Sequence, residues 1–160
     1  MQPEKTQAYL LLHNIRSAQN VGAIFRTAEA IGMTKIFLTG YTPAPIDRFG
    51  RKRKDIAKSA LGAEDIIDWV SVEDPMSVIS DLKVEGFSII SIEQDERAVD
   101  YKQYAPTEKC CFIVGNEVEG ISKDILEISD SIIEIPMTGK KESLNVSVAT
   151  GVALFRVLNK

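Results

Sequence analysis

Short apolar runs of strand length alternate along this chain with segments whose apolar residues recur at helical spacing. Residues 8–13 form a continuous apolar run ending at His13. Residues 20–32 then place Val21, Ile24, Phe25, Ala28 and Ile31 on one helical face, with Asn20 in N-cap position and Gly32 as terminator. Further strands are predicted at 35–38, 66–72, 87–92, 110–114 and 131–135. Further helices are predicted from the basic segment toward Leu61, and at 75–84, 122–128 and 146–158. Strands separated by helices predict an α/β fold: a mostly parallel sheet with helices on both faces. The closing helix stands apart. Val146, Val148, Ala149, Val152, Ala153, Leu154, Phe155, Val157 and Leu158 make it apolar around most of its circumference. A helix of that kind needs cover on nearly all sides, and in so small a domain a second copy of the chain is the expected cover. A homodimer follows as an expectation.

At 160 residues and 44% hydrophobic content, one globular domain spanning 1–160 is expected, with no internal repeat or dividing linker. No apolar run is long enough to span a bilayer, and the N-terminus has no signal-peptide layout. Cys110 and Cys111 are neighbours in a strand-like run, so they point to opposite faces and are poor candidates for pairing with each other. A reducing, cytoplasmic setting fits that usage. One histidine and one adjacent cysteine pair cannot assemble a Cys/His zinc site, so no metal is expected. The net charge of −4 hides a basic cluster: Arg48, Arg51, Lys52, Arg53, Lys54 and Lys58, opposed within the segment only by Asp55. On charge alone this reads as a solvated helix face; beside a suitable site it reads as a phosphate-binding patch.

Alternating strands and helices first suggest a dinucleotide site or a conventional methyltransferase, both of which need a glycine-rich turn after the first strand. No two glycines here are separated by a single residue, and the segment after the first strand, His13-Asn-Ile-Arg-Ser-Ala-Gln-Asn20, has none. The chemistry must sit elsewhere. Three polar loops offer themselves: Asn20-Val-Gly-Ala-Ile-Phe-Arg26-Thr-Ala, Gly115-Asn-Glu-Val-Glu-Gly-Ile-Ser, and Ile135-Pro-Met followed by Ser143-Leu-Asn-Val-Ser-Val-Ala.

In that order, the three segments resemble the three motifs of the SpoU (TrmH-like) branch of the SPOUT RNA methyltransferases, and the resemblance covers the chain from Leu10 to Arg156. It implies an α/β domain whose C-terminal part is threaded into a deep trefoil knot, a rare exception to ordinary chain topology. It also implies that the knot loops hold S-adenosylmethionine, in agreement with the missing Gly-x-Gly. Carried over residue by residue, Gly115, Ile135, Met137 and Leu144 contact the cofactor, with Ser91 and Ile92 at its rim. The reaction implied is methyl transfer to a ribose 2′-hydroxyl of RNA, transfer RNA before ribosomal RNA. Arg26 is the catalytic residue implied, as a base or, since a guanidinium hardly ever loses its proton, as an electrostatic group that orients phosphate and stabilises an emerging alkoxide. Asn20, Glu117, Ser143 and Asn145 complete the set. The basic cluster from Arg48 to Lys58 supplies RNA contacts, in place of the N-terminal RNA-binding domain that several family members carry.

Each residue alone has a plainer explanation. Asn20 is a good N-cap, Arg26 lies on a polar helix side, Glu117 sits in a polar turn, and Ser143 is placed to cap the last helix. His13 reads as a strand-end residue rather than a base, and Lys140 and Lys141 as either solvated charge or phosphate contacts. Only their joint arrangement points to catalysis. Two rivals remain: a non-catalytic RNA-binding protein that keeps the fold, and an unrelated α/β nucleotide-binding protein.

Overall fold

A computed structural model describes residues 5–158. Its elements are β1 (Gln7–His13), α1 (Ala18–Ile31), β2 (Lys35–Thr39), α2 (Lys54–Ala60), β3 (Asp68–Val72), α3 (Pro75–Val84), β4 (Ser88–Ile92), β5 (Val99–Asp100), β6 (Lys109–Val114), α4 (Lys123–Ile128), β7 (Ser131–Glu134) and α5 (Val146–Val157). Single 3₁₀ turns follow α2 and β5, at Ala63–Asp65 and Tyr101–Gln103. The seven strands form one sheet in the order β3-β2-β1-β6-β4-β7-β5, every pair parallel.

The central strands are apolar without alternation because both faces are covered. Leu10, Leu12, Phe112 and Val114 face one core, with Ile24 and Phe25 of α1, Ile56 of α2 and Leu154 of α5. Leu11, Ile113 and Ile89 face the other, with Val78, Ile79 and Leu82 of α3 and Ile125 of α4. Each such fully buried side chain contributes roughly 1.5–3 kcal/mol. Cys110 and Cys111 fall in opposite cores, as neighbours in a strand must, and both are free thiols.

Helix α1 begins earlier than the sequence pattern suggests. Ser17, not Asn20, is its N-cap: the Ser17 hydroxyl accepts the Asn20 N–H at 3.1 Å. That leaves the Asn20 side chain available for other partners. The helix ends at Gly32, whose φ of 87° is left-handed. Gly22 brings α1 onto α2, since a Cβ there would collide with Ser59 and the Ile56 carbonyl. The two-residue β5 has no periodicity to read and was not expected from the sequence.

Helix α5 packs against α1 and buries Thr150, Ala153, Leu154 and Val157. Its opposite side leaves Val148, Val152 and Phe155 exposed. No helix among the described residues is long and apolar enough to cross a membrane.

Candidate active site

The carboxyl ends of parallel strands are where an α/β sheet leaves a crevice. Here the ends of β4, β6 and β7 meet the N-terminus of α5 around a groove of about 190 Å³. Ile92 and Glu93 line it at the end of β4, Gly115 to Gly120 after β6, Glu134, Ile135 and Met137 from the end of β7 onward, then Ser143, Leu144, Val146 and Ala149. One wall is apolar. Of the charged residues lining it, all four are glutamates (Glu93, Glu117, Glu119 and Glu134).

The 115–120 loop is held as a tight turn. Gly120 has a φ of 70° and its N–H donates to the Asn116 carbonyl at 2.9 Å. The Asn116 side-chain oxygen accepts the N–H groups of Val118 and Glu119, at 2.9 and 2.8 Å. Its amide nitrogen donates to the Asn14 carbonyl at 3.0 Å and the Tyr41 hydroxyl at 2.8 Å. A Cβ on Gly115 would come within 2.7 Å of the Gly120 carbonyl and the Ile121 nitrogen, so only glycine lets the two ends of the turn approach. Glu93 closes the arrangement by accepting the Ile121 N–H at 2.8 Å.

Glu117 points from this loop to the start of α1. Its carboxylate accepts the backbone N–H of Arg16 at 3.0 and 3.1 Å, that of Ser17 at 3.1 Å, and the Asn20 amide at 3.2 Å. Burial pushes its pKa up, but hydrogen bonds from Arg16, Ser17, its own backbone and Asn20 outweigh that and hold it below the ordinary range. Glu117 is therefore ionised at neutral pH and serves as an acceptor at a helix N-terminus. Asn20 in turn accepts the Asn145 amide at 3.2 Å. Asn145, and not Ser143, caps α5: its side-chain oxygen accepts the N–H groups of Ser147 at 2.9 Å and Val148 at 3.4 Å.

Glu117, Asn20 and Asn145 thus form one hydrogen-bonded chain across three distant segments. Ser143, Leu144, Ile135, Met137, Gly115 and Ile92 all line the groove. Ser91 does not. It is fully buried within β4, and its hydroxyl lies 2.7 Å from that of Ser129. Arg26 does not line the groove either. It lies exposed two turns along α1, in a separate surface concavity of about 790 Å³ lined also by Gln19, Lys58, Ser59 and Phe155. No arginine is among the described residues that line the groove.

The basic cluster divides in two. Arg51 pairs with Asp47 at 3.0 Å, Arg53 with Asp55 at 2.6 Å, and Lys52 with Asp65 at 2.9 Å and Glu64 at 3.2 Å. Glu64 is buried and its Oε1 accepts no hydrogen bond, so the Lys52 ammonium is what neutralises it. Lys52 is structural in this respect. Arg48, Lys54 and Lys58 make no ion pair among the described residues. Lys140 and Lys141 are exposed on the loop before α5.

His13 donates or accepts at 2.9 Å from the Thr39 hydroxyl; burial lowers its pKa, partly countered by Asp74. Among the described residues no group of three or more His, Cys, Asp or Glu side chains could hold a metal ion. Sequence reasoning passed over Glu93, Glu134 and the side chain of Asn116. A carboxylate at the carboxyl end of an apolar strand was the available signal for the first two.

Comparison with known proteins places this arrangement. A tRNA (guanosine(18)-2′-O)-methyltransferase of Aquifex aeolicus is 33% identical over 154 residues, covering 95% of this chain and 70% of that protein. The Escherichia coli K12 protein of the same name is 31% identical over 157 residues, but the chain spans only 62% of its length. Among solved structures, the A. aeolicus TrmH/SpoU tRNA modifying enzyme superposes with a TM-score of 0.82 at 30% identity, over 98% of this chain and 77% of that one. The fold is also that of an AdoMet-bound rRNA methyltransferase from Sinorhizobium meliloti, with a TM-score of 0.87 at 24% identity, over 99% of this chain and 58% of that one. The SpoU rRNA Methylase family matches residues 7–155, which is nearly the whole fold described above, and the chain belongs to that family.

Proposed function

We propose that this chain is an S-adenosylmethionine-dependent methyltransferase acting on a ribose 2′-hydroxyl of transfer RNA, as a homodimer in a reducing cytoplasm. The observation that carries the reading is the chain Glu117–Asn20–Asn145, which ties three motif segments together at the mouth of one groove. The names of the A. aeolicus and E. coli relatives favour tRNA over rRNA.

The groove suits the proposed cofactor. Ile135, Leu144, Val146 and Ala149 offer an apolar wall for an adenine ring. Four glutamates offer counter-charge to a sulfonium and an ammonium. When bound, that group supplies an electrophilic methyl. The chain's own residues then have to hold the ribose, exclude water and stabilise charge on its oxygen. Glu117 and Asn145 fix the entry of α1 and α5, and Ser143 stands at the groove as a hydroxyl partner for ribose. Arg26 orients a phosphate and stabilises the oxyanion. Because it lies outside the groove of its own protomer, it serves the groove of the partner. The exposed face of α5, with Val148, Val152 and Phe155, is the surface through which the two copies meet.

The trefoil knot belongs to the same proposal. β7 lies beyond β4 from β6, and the chain then returns so that α5 packs on α1, the kind of path a C-terminal knot requires. The domain is proposed to act as one unit over residues 1–160.

Transfer of tritiated methyl from S-adenosylmethionine into bulk tRNA tests the activity. RNA binding without any transfer would instead favour the non-catalytic rival. Mixing Arg26→Ala with Gly115→Ala chains tests the composite site. A site shared between subunits restores activity in mixed dimers, up to roughly one site in four after random exchange. A site complete within one chain restores none.

A further inference from the structure

The loop between β2 and α2 carries a feature that the methyl-transfer chemistry does not use. Phe49 is 66% exposed, and two guanidinium carbons stand over its ring, Arg48 at 4.8 Å and Arg51 at 5.0 Å from the centroid. The loop is built to hold it there. Asp47 accepts the N–H groups of Phe49 and Arg51, both at 2.9 Å, while Asp47 N–H donates to the Arg51 carbonyl at 2.8 Å. Ile46 and Lys52 pair as an antiparallel bridge below the turn. At its start the same loop is tied to the groove's rim, through the 2.8 Å hydrogen bond between Tyr41 and Asn116.

We propose that Phe49, with Arg48 and Arg51, is a stacking platform for an unpaired nucleobase of the RNA substrate. An exposed ring among cations suits a planar base attached to a phosphate: the ring or a guanidinium plane stacks the base, and the free Arg48 charge meets the backbone. A purely electrostatic patch has no use for an ordered aromatic at its tip. This inference rests on the RNA methyltransferase reading and adds a specificity element to it.

The test measures methyl transfer to bulk tRNA by Phe49→Ala, Phe49→Leu and Phe49→Trp. Stacking predicts a rise of roughly 5- to 150-fold in KM for RNA with Ala and Leu, little change in kcat, and recovery with Trp. An unchanged KM in Phe49→Ala, or recovery by Leu equal to that by Trp, overturns the platform while leaving the methyltransferase reading intact. If the wild-type chain transfers no methyl, that reading fails by itself and a second arm still decides the platform. The fluorescence of Phe49→Trp should be quenched by an oligouridylate and far less by an abasic oligonucleotide of equal length. Equal responses to both overturn the proposal. Loss of self-association in Phe49→Ala, with RNA binding intact, assigns the ring to a protein contact and overturns it also.

Discussion

Replacing Glu117 with Gln keeps the side-chain volume but removes the charge and turns one acceptor oxygen into a donor. In the native arrangement three groups converge on the carboxylate: the N–H groups of Arg16 and Ser17 and the Asn20 amide, at 3.0–3.2 Å. A hydrogen bond to a charged group contributes roughly 1.5–3 kcal/mol. Partial solvent exposure screens this one, so about 1–2 kcal/mol is expected for the set. For a domain of this size that is a fall in Tm of roughly 2–8 °C at pH 7.

The pH dependence sharpens the test. Because the folded-state pKa lies below the ordinary value of 4.5, the unfolded chain binds more protons than the folded one in that region. The contribution is therefore present in full above about pH 4.5 and disappears as pH falls through the folded-state pKa. Thermal melts of the wild type and Glu117→Gln from pH 7 down to pH 3 should converge at the acid end. Activity should fall on the order of 10-fold at neutral pH, because the entry of α1 is no longer fixed against the groove. Equal melting temperatures at pH 7, or a gap that stays constant to pH 3, would refute the reasoning.

Other consequences are as direct. Gly115→Ala should cost about 1–3 kcal/mol, since the new Cβ meets backbone atoms of Gly120 and Ile121 at 2.7 Å, and should weaken S-adenosylmethionine binding by calorimetry more than 10-fold. Lys52→Ala should lower the Tm by stranding the buried Glu64, whereas Arg48→Ala leaves the Tm unchanged. Neutralising Arg48, Lys54 and Lys58 together should flatten the salt dependence of RNA binding by up to about three counterions; an unaltered slope removes them from the interface. Cys110, its pKa pushed up to about 12 by burial, and Cys111, pushed up further by burial and by Cys110, should resist iodoacetamide at pH 8 until the protein unfolds, as mass spectrometry would show.

What could be read in advance follows from which interactions are local. Continuous apolar runs at β1 and β6 announced strands buried on both faces, and the apolar face of α1 announced its packing. The helix start was misread because Ser17 and Asn20 are both good caps; the choice is settled by Glu117, ninety-seven residues from Asn20, which engages the Asn20 side chain. Ser91 and Ile92 were both expected at the cofactor's rim, and of the two Ile92 lines the groove. Alternation along β4 turns the Ser91 hydroxyl into the interior toward Ser129, while the next residue, Ile92, reaches the groove. Half of the basic cluster was already neutralised by carboxylates, three of which, Asp47, Glu64 and Asp65, lie outside the segment whose charge was counted.

The separation of charge across the fold gives the strongest physical reason to expect a two-chain site. Methyl transfer to RNA requires a place for a cation and a place for a polyanion within bonding distance of each other. In one protomer these places are distinct: the groove is lined by four glutamates with no basic residue, while Arg26 and Lys58 share the concavity across α1. An acidic groove alone repels the phosphates it would have to accept, at several ångströms and in a partly desolvated setting. The conflict is relieved if a second copy presents its Arg26 concavity to the first copy's groove, with the exposed apolar side of α5 supplying the contact. Dissociation should then abolish transfer while leaving each groove able to bind S-adenosylmethionine. A charged substitution such as Val152→Glu would separate the two. A monomeric Val152→Glu chain that still methylates RNA would show that one protomer resolves the charge conflict alone.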